Sequence, residues 1–238
     1  MKKSHLILVL FLLSGLLLVP FTLINGKCGK CPKVVSSVNH ELYNEMHLDK
    51  LGLKLPVFNV AIAGYTSLLS QNSIGNPGII AIADLSQPST AKRLYVIDLV
   101  QHKLLYNTWV AHGKNTGENL ARGFSNNAGS LKSSLGFYLT GESYNGQHGI
   151  SLRLHGMEPG YNDKAYERAI VIHGADYVNE QVIRQTGRLG RSFGCPAVSS
   201  CLARPIISAL GEGSVVFIYY PDKNYLTHSK LAMIQYSN

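Results

Sequence analysis

Cys195 and His173 are of the residue types needed for nucleophilic catalysis by a thiol. A cysteine attacks as its thiolate, so an active cysteine needs a nearby base, and imidazole is a suitable one. Gly194, directly before the cysteine, allows a tight turn that can aim the amide of Cys195 at a substrate carbonyl, as in an oxyanion hole. These residues predict an enzyme that transfers acyl groups and needs neither a metal nor an organic cofactor.

The base must be chosen among the histidines that precede a glycine, which are His112, His148, His155 and His173. His173 follows Ala169–Ile172, an apolar stretch with the composition of a strand, which would hold the ring in place. His155 ends the predicted strand Ser151–Leu154 and is the main rival; it could also line the pocket or be a structural histidine. We expect His112 and His148, in segments rich in glycine and asparagine, to be exposed to solvent.

The residues around this pair resemble a known family. Ser192-Phe-Gly-Cys195, with His173-Gly174 upstream, resembles the Ser/Thr-His-Gly-Cys signature and histidine of the L,D-transpeptidase catalytic domain, which has the YkuD-like fold. The resemblance implies that Cys195 is the nucleophile, that His173 is its base and that a backbone carbonyl orients the imidazole. It covers about Asn76 to Tyr220 and is similar to the murein L,D-transpeptidase branch in these segments: Phe124–Asn126, Ser133–Tyr138, Ser151–Leu154, Asn162–Asp163, Arg168–Ala175 and Gly190–Pro196.

The motif departs from the common pattern of the family at two places. Phe193 stands where the family has histidine, and Pro196-Ala197 stands where many members have a hydrophobic residue and then arginine. If that arginine binds a substrate carboxylate, another guanidinium must do so here, because its paired donors suit a carboxylate better than lysine does. The predicted substrate-binding residues are therefore Arg191, Arg188, Arg153, His155 and Ser192.

Short strand-like segments separated by turn residues follow one another from Gly78 onward. Val198–Leu210 predicts a helix that contains Pro205, and we expect Cys201 on it to be a small core residue. Many strands and few helices predict a mostly β domain, sandwich or barrel-like, which is the kind of fold that the resemblance implies. The predicted strands are Ile79–Ile82, Arg93–Ile97, Leu104–Val110, Leu135–Thr140, Ser151–Leu154, Ala169–Ile172 and Ser214–Tyr220.

A helical extension is predicted to precede the β domain. Apolar residues from Val34 to Leu69 recur at steps of three and four, with a break at Leu55-Pro56, so two helices are expected. We therefore divide the chain into an apolar N-terminal segment at 1–26, a linker and helical extension at 27–75, and a catalytic domain at 76–238.

The N-terminal segment predicts export. Two lysines precede the apolar stretch Leu6–Ile24, whose length fits either a cleaved signal peptide or a membrane anchor. The expected location is the periplasm or cell envelope, with membrane contact only through this segment if it is retained. Cys28 and Cys31 follow it, and in an exported chain they predict a local disulfide or tether rather than a zinc or redox site.

The formal charge of +8 favours anionic surroundings. The basic residues are scattered and the chain is addressed for export, so nucleic acid is a weaker interpretation than an anionic envelope polymer or an ordinary solvated surface. The resemblance implies peptidoglycan stem peptides as partners and an L,D-transpeptidase that forms a Cys195 thioester and passes the acyl group to an amine. Two alternatives stay open: an L,D-carboxypeptidase that uses water, and a non-catalytic envelope-binding domain of the same fold.

Overall fold

The computed structural model describes residues 33–147 and 149–233 and pairs their strands into one sheet of eight strands. The strands are β1 (Ile79–Asp84), β2 (Leu94–Asp98), β3 (Lys103–Thr108), β4 (Gly136–Gly146), β5 (Gly149–Gly156), β6 (Val171–Ala175), β7 (Ala197–Ser199) and β8 (Val215–Tyr219). Their order in the sheet is β3-β2-β1-β8-β4-β5-β6-β7.

The two edges of this sheet meet. Ala111, just after β3, bridges to Ala197 on β7, with 2.8 Å from the Ala111 amide nitrogen to the Ala197 carbonyl oxygen. The sheet therefore almost closes on itself, as expected of a barrel-like β domain. Strands β1 and β8 pair in parallel, as do β6 and β7, and the other neighbours are antiparallel.

Strand β8 shows how the sheet is buried on both faces. Side chains alternate between the two faces of a strand, and here both sets are apolar. Val215 and Phe217 join a core with the N-terminal helices, whereas Val216 and Ile218 join a second core with the helix that follows β7. Burial on both faces explains the continuous apolar run of this strand.

The described helices are α1 (Lys33–Glu45), α2 (Leu55–Ser70), α3 (Glu180–Thr186), α4 (Ser200–Leu210) and α5 (Lys223–His228). Pro56 lies in the first turn of α2, where its fixed φ suits a helix and no amide hydrogen is needed. The break predicted at Leu55-Pro56 is therefore the start of α2. Gly64 brings this helix very close to the sheet, because a Cβ at this position would lie 2.1 Å from the Phe137 ring.

The predictions of two N-terminal helices, seven strands and a helix containing Pro205 are confirmed, with ends that shift by a few residues. Strand β7 was not predicted because it has only three residues. Helix α3 was not predicted because it buries no residue and so has no apolar stripe. α5 was also missed.

The expectation that Cys201 is a core residue is wrong, since its thiol is exposed. The buried face of α4 consists of Ala203, Ile206, Ile207 and Leu210, at helical spacing, and Cys201 does not belong to that face.

The predicted export segment, Cys28, Cys31 and His148 lie outside the described residues, and the domain boundary at residue 76 stays a prediction. Helix α2 shares its hydrophobic core with β1, β4 and β8, so this boundary separates segments that pack on each other. Within the described residues, no helix has the length and apolar character needed to cross a membrane.

Candidate active site

Cys195 and His173 lie on the wall of the same cavity, which has a volume of about 500 Å³. Its lining is mostly apolar with a few polar groups, which is usual for a site that binds a small molecule. The remaining lining residues are Tyr144, Gly146, Gln147, Ser151, Arg168, Ala169, Ile170, Val171, Tyr177, Arg191, Ser192 and Phe193.

His173 is held within the sheet. It lies on β6, opposite Ser151 on β5 and Ala197 on β7, and only 4% of its surface is exposed. Its Nδ1 is 2.8 Å from the carbonyl oxygen of Gly174. Because a carbonyl oxygen only accepts, Nδ1 carries the hydrogen, and Nε2 is the basic nitrogen of the neutral ring.

The turn that carries Cys195 is folded by Ser192. The Ser192 hydroxyl donates to the carbonyl oxygen of Cys195 at 2.6 Å and accepts from the amide of Gly194 at 3.1 Å. Gly194 has a φ of 135°, and a Cβ there would lie 3.0 Å from the carbonyl oxygen of Lys132. Glycine is therefore needed both for the backbone angle and for space.

Ser133 and Gly113 contact the backbone of this turn at Gly194. The Ser133 hydroxyl donates to the carbonyl oxygen of Gly194 at 3.0 Å and accepts from the Gly113 amide at 3.1 Å. A Cβ on Gly113 would lie 3.0 Å from the Gly194 Cα and 2.6 Å from the carbonyl oxygen of Leu131. Sequence reasoning assigned no role to Ser133, whose only signal was its place in a family-like segment.

Cys195 is partly buried, and its Sγ lies 3.7 Å from the carbonyl oxygen of Ala169. Burial raises the pKa of the thiol, while a hydrogen bond with the backbone of Val171 and the charge of Arg168 act in the opposite direction. Since the net effect favours the neutral thiol, an attack by this thiol would require a base to take its proton.

Arg191 is the predicted substrate-binding arginine that the structure places on the cavity wall. Its Nη1 lies 2.6 Å from Oε1 of Glu118, and Nε of Arg188 lies 2.8 Å from Oε2 of the same carboxylate. Ser192 also lines the cavity, although its hydroxyl is used within the turn. The roles of these residues toward a substrate stay predictions.

His155 does not reach the cavity of Cys195. It lines another cavity, of about 510 Å³, together with Gly141 and Glu212, and its ring stacks on Tyr166 with 5.0 Å between centroids. Arg153, two residues earlier on β5, pairs with Glu142 at 2.6 Å and lies over the ring of Tyr144. The separation arises because each residue of a strand advances about 3.3 Å, which carries His155 away from Ser151.

The expectation that His112 is exposed is wrong, since only 1% of its surface is exposed. Nη2 of the buried Arg93 donates to its Nδ1 at 2.8 Å, so Nε2 carries the hydrogen and faces the carbonyl oxygen of Gly117 at 3.2 Å. Burial, followed by the charge of Arg93, lowers the pKa of His112 to about 4. Its carbonyl oxygen accepts from the amide of Ser192 at 3.0 Å, which anchors the turn that carries Cys195.

Phe193, which replaces the histidine of the family motif, projects from the mouth of the cavity with 71% of its surface exposed. Nζ of Lys114 lies 4.9 Å from the centre of its ring. Within the described residues, no cluster of three or more His, Cys, Asp or Glu could hold a metal ion.

A family model described as the L,D-transpeptidase catalytic domain (YkuD_2) matches residues 49–219. A search of curated proteins finds no match to this chain.

Several solved structures are similar. An L,D-transpeptidase from Mycobacterium smegmatis is 11% identical with a TM-score of 0.38, and the alignment covers 60% of this chain and 59% of that one. The helical cell shape determining protein Pgp2 from Campylobacter jejuni is 19% identical with a TM-score of 0.40, covering 67% of this chain and 54% of that one. L,D-transpeptidase 3 from Mycobacterium tuberculosis, with a faropenem-derived adduct, is 16% identical with a TM-score of 0.37 and 61% coverage of both chains. This chain thus spans less than two thirds of their length.

Proposed function

Since the chain belongs to the L,D-transpeptidase catalytic domain family, we propose that it is an exported L,D-transpeptidase acting on peptidoglycan stem peptides. One observation carries this proposal: Cys195 and His173 line the same cavity, with the imidazole oriented by the carbonyl oxygen of Gly174. A thiol nucleophile and an oriented base on one cavity wall are what acyl transfer through a thioester requires.

In the first half-reaction, Nε2 of His173 takes the thiol proton as Sγ of Cys195 attacks the carbonyl of the third residue of a tetrapeptide stem. A carbon–sulfur bond forms, and the bond to the nitrogen of the terminal D-alanine breaks. The imidazolium returns its proton to this leaving amine. The stem remains on the enzyme as a thioester of Cys195.

In the second half-reaction, an amine from another stem attacks the thioester carbonyl. His173 takes a proton from this amine, the carbon–sulfur bond breaks, and the proton passes to the thiolate of Cys195. A new amide bond joins the two stems, and the free enzyme is restored with its atoms and charges balanced.

The developing oxyanion needs a backbone donor close to the sulfur. The amide of Gly194 already donates to Ser192, so the amide of Cys195 itself is the donor that we assign to the oxyanion. The position of Gly194 supports this assignment, since its unusual φ turns the backbone immediately before the nucleophile.

We assign Arg191 to the carboxylate of the substrate, because it is the one among Arg191, Arg188 and Arg153 that lines this cavity. Its present partner Glu118 is 71% exposed, so a substrate carboxylate can share the guanidinium with it or displace it at little cost. Arg188 then holds Glu118 in place.

Incubation of the purified protein with a disaccharide-tetrapeptide, followed by mass spectrometry, tests the proposal. A cross-linked dimer together with a thioester adduct on Cys195 is the expected result. A tripeptide without a dimer would instead identify an L,D-carboxypeptidase that uses water as acceptor. Unchanged substrate with measurable binding would identify a non-catalytic envelope-binding domain.

A further inference from the structure

We propose that Arg168 supplies the positive charge that stabilises the thiolate of Cys195. This inference rests on the proposed function, in which Cys195 is the nucleophile, and gives Arg168 a role that the sequence motif did not assign. Arg168 precedes β6 in the chain and lines the same cavity as Cys195 and His173. It would act on the reaction through the cysteine.

The guanidinium of Arg168 lies next to the turn Ser192–Cys195. A Cβ built on Gly194 would lie 3.3 Å from its Nη2. The next residue in the chain, Ala169, provides the carbonyl oxygen that faces Sγ of Cys195 at 3.7 Å. The backbone of this segment therefore faces the thiol, and the arginine side chain lies next to Gly194, the residue before Cys195.

The hydrogen-bond partners of Arg168 are all neutral. Nη1 donates to the carbonyl oxygen of Ser125 at 2.8 Å and to the Ser134 hydroxyl, and Nη2 donates to the carbonyl oxygen of Lys132 at 2.6 Å and to the Ser130 hydroxyl at 3.3 Å. Carbonyl and hydroxyl oxygens satisfy the donors of a guanidinium without cancelling its charge. The positive charge is thus held beside the cavity without a counterion among these contacts.

The other arginines near the site differ in this respect. Arg191 and Arg188 share the carboxylate of Glu118, and Arg153 pairs with Glu142. An ion pair compensates a positive charge and weakens its effect on a third group. Glu118 offsets one of the two charges of Arg191 and Arg188. Among these four arginines, Arg168 is therefore the one with no carboxylate on its guanidinium.

The remaining titratable groups on this cavity do not provide the same effect. His173 is the proposed base and is neutral before it takes the thiol proton. Burial raises the pKa of Tyr177 to about 12, so this ring is neutral at physiological pH. Tyr144 lines the cavity too, but a phenol carries no positive charge. A nearby cation favours the thiolate over the thiol, which opposes the effect of burial on Cys195.

Arg168 also ties the segment 125–134 to the site, so a structural effect must be separated from a charge effect. Arg168→Gln removes the charge but keeps amide donors, whereas Arg168→Lys keeps the charge but loses the paired donors. Ser134→Ala removes one contact of Arg168 and leaves the charge in place. Arg184→Gln removes an exposed arginine on α3 and serves as the control for a change in the net charge of the protein.

The test is the rate of alkylation of Cys195 by iodoacetamide as a function of pH, with the label located by fragment mass. Each variant is made in a Cys201→Ser background, because Cys201 is exposed and would compete for the reagent. We expect Arg168→Gln to move the rate profile toward alkaline pH and to slow alkylation at neutral pH by about tenfold. This loss is at the lower end of the effect that a nearby opposite charge has on an ionisable group. Arg168→Lys, Ser134→Ala and Arg184→Gln should retain the profile of the parent.

An unchanged profile in a cooperatively melting Arg168→Gln protein would overturn the proposal, and so would an equal shift in Ser134→Ala. Where Arg168→Gln does not fold, Arg168→Lys can still refute the proposal, since an alkaline shift in a protein that keeps the positive charge would contradict it. Alkylation needs no stem peptide. A protein that is alkylated as expected but forms no thioester with the tetrapeptide would therefore refute the proposed function and not the role of Arg168.

Discussion

The Ser133 hydroxyl joins two backbone segments, one of which leads directly into Cys195, because it donates to the carbonyl oxygen of Gly194 and accepts from the amide of Gly113. Ser133 is itself buried, with 2% of its surface exposed, and its own amide donates to the Thr116 hydroxyl at 2.8 Å. The angle at which Cys195 enters the cavity thus depends on a residue far from it in the sequence.

Ser133→Ala leaves a buried amide and a buried carbonyl oxygen without this partner. We expect the free energy of unfolding to fall by about 1–3 kcal/mol, the usual cost of an unsatisfied buried polar group, together with slower acylation of Cys195. Urea unfolding and intact-mass kinetics measure the two effects. The exposed Ser143→Ala is the control and should stay within about 0.5 kcal/mol of the parent. A Ser133→Ala protein as stable and as fast as the parent would show that the bridge is dispensable.

Cys195→Ala should abolish thioester formation with a tetrapeptide, because the alanine side chain offers no nucleophile. Cys201→Ala should be acylated as the parent is, since Cys201 is exposed on α4 outside the cavity. Intact-mass spectrometry measures the adduct in both variants. A full adduct on the Cys195→Ala protein would refute the assignment.

His173→Ala should slow acylation at saturating substrate by about 10²- to 10⁴-fold, the typical contribution of a general base. His155→Ala should acylate at close to the parental rate, because the structure places His155 at a different cavity. Single-turnover kinetics of thioester formation measures both variants. Equal losses of acylation rate in the two variants would mean that a position on this cavity does not distinguish the base from other histidines.

Gly64→Ala should destabilise the protein although alanine favours a helix over glycine. The added methyl group meets the Phe137 ring, which is itself stacked on Phe217 with 4.1 Å between centroids and has little room to move. We expect a loss of about 1–3 kcal/mol, as for other overpacked cores. Thermal and urea unfolding measure it, and Gly123→Ala, which meets only the mobile end of Lys132 within 3.6 Å, is the matched control. A more stable Gly64→Ala protein would show that α2 can shift on the sheet.

The buried His112 gives the protein a definite acid sensitivity. Its folded-state pKa of about 4 lies below the ordinary value of 6.5, so the unfolded chain binds the proton more readily. The contribution of the neutral His112 ring to the free energy of unfolding is fully present above about pH 6.5. It is lost as the pH decreases toward 4, by up to about 3 kcal/mol. Urea unfolding near both limits measures this loss, and His112→Gln should show a smaller dependence over the same window. An identical pH dependence in both proteins would contradict the burial of a neutral ring.

The β strands could be predicted because most have apolar, β-branched runs between turn residues, as in Val215–Tyr219. The strand that leads into His173 and the glycine before Cys195 were equally visible in local sequence. Helix α3 and strand β7 were not, because one has no buried face and the other is very short. Local sequence also could not reveal that Arg93 donates to His112, since that contact joins two different strand ends and decides whether the ring is exposed.

The surroundings of Cys195 belong to the same class of information. Motif spacing predicts Cys195 as the nucleophile, but Ser133, which bonds the Gly194 carbonyl, and Arg168, which lines the cavity, come from segments that only the folded sheet brings near it. The oxygens that Arg168 binds are backbone carbonyls and serine hydroxyls, and these groups cannot be recognised as its partners from the residue types in the sequence. Residues of this kind are predictable only from the packing of the chain.

The bridge between Ala111 and Ala197 places the nucleophile at the seam of the barrel, two residues before the point where the sheet closes. Two isolated bridges join these edges, Ala111–Ala197 with backbone hydrogen bonds of 2.8 and 3.4 Å and Gly113–Ser192 with bonds of 2.8 and 3.0 Å on Ser192. By contrast, β1 with β2, β1 with β8 and β4 with β5 pair through longer ladders. Breathing of the barrel should therefore begin there, and the amides of these two alanines should exchange with deuterium before those of β1 and β8.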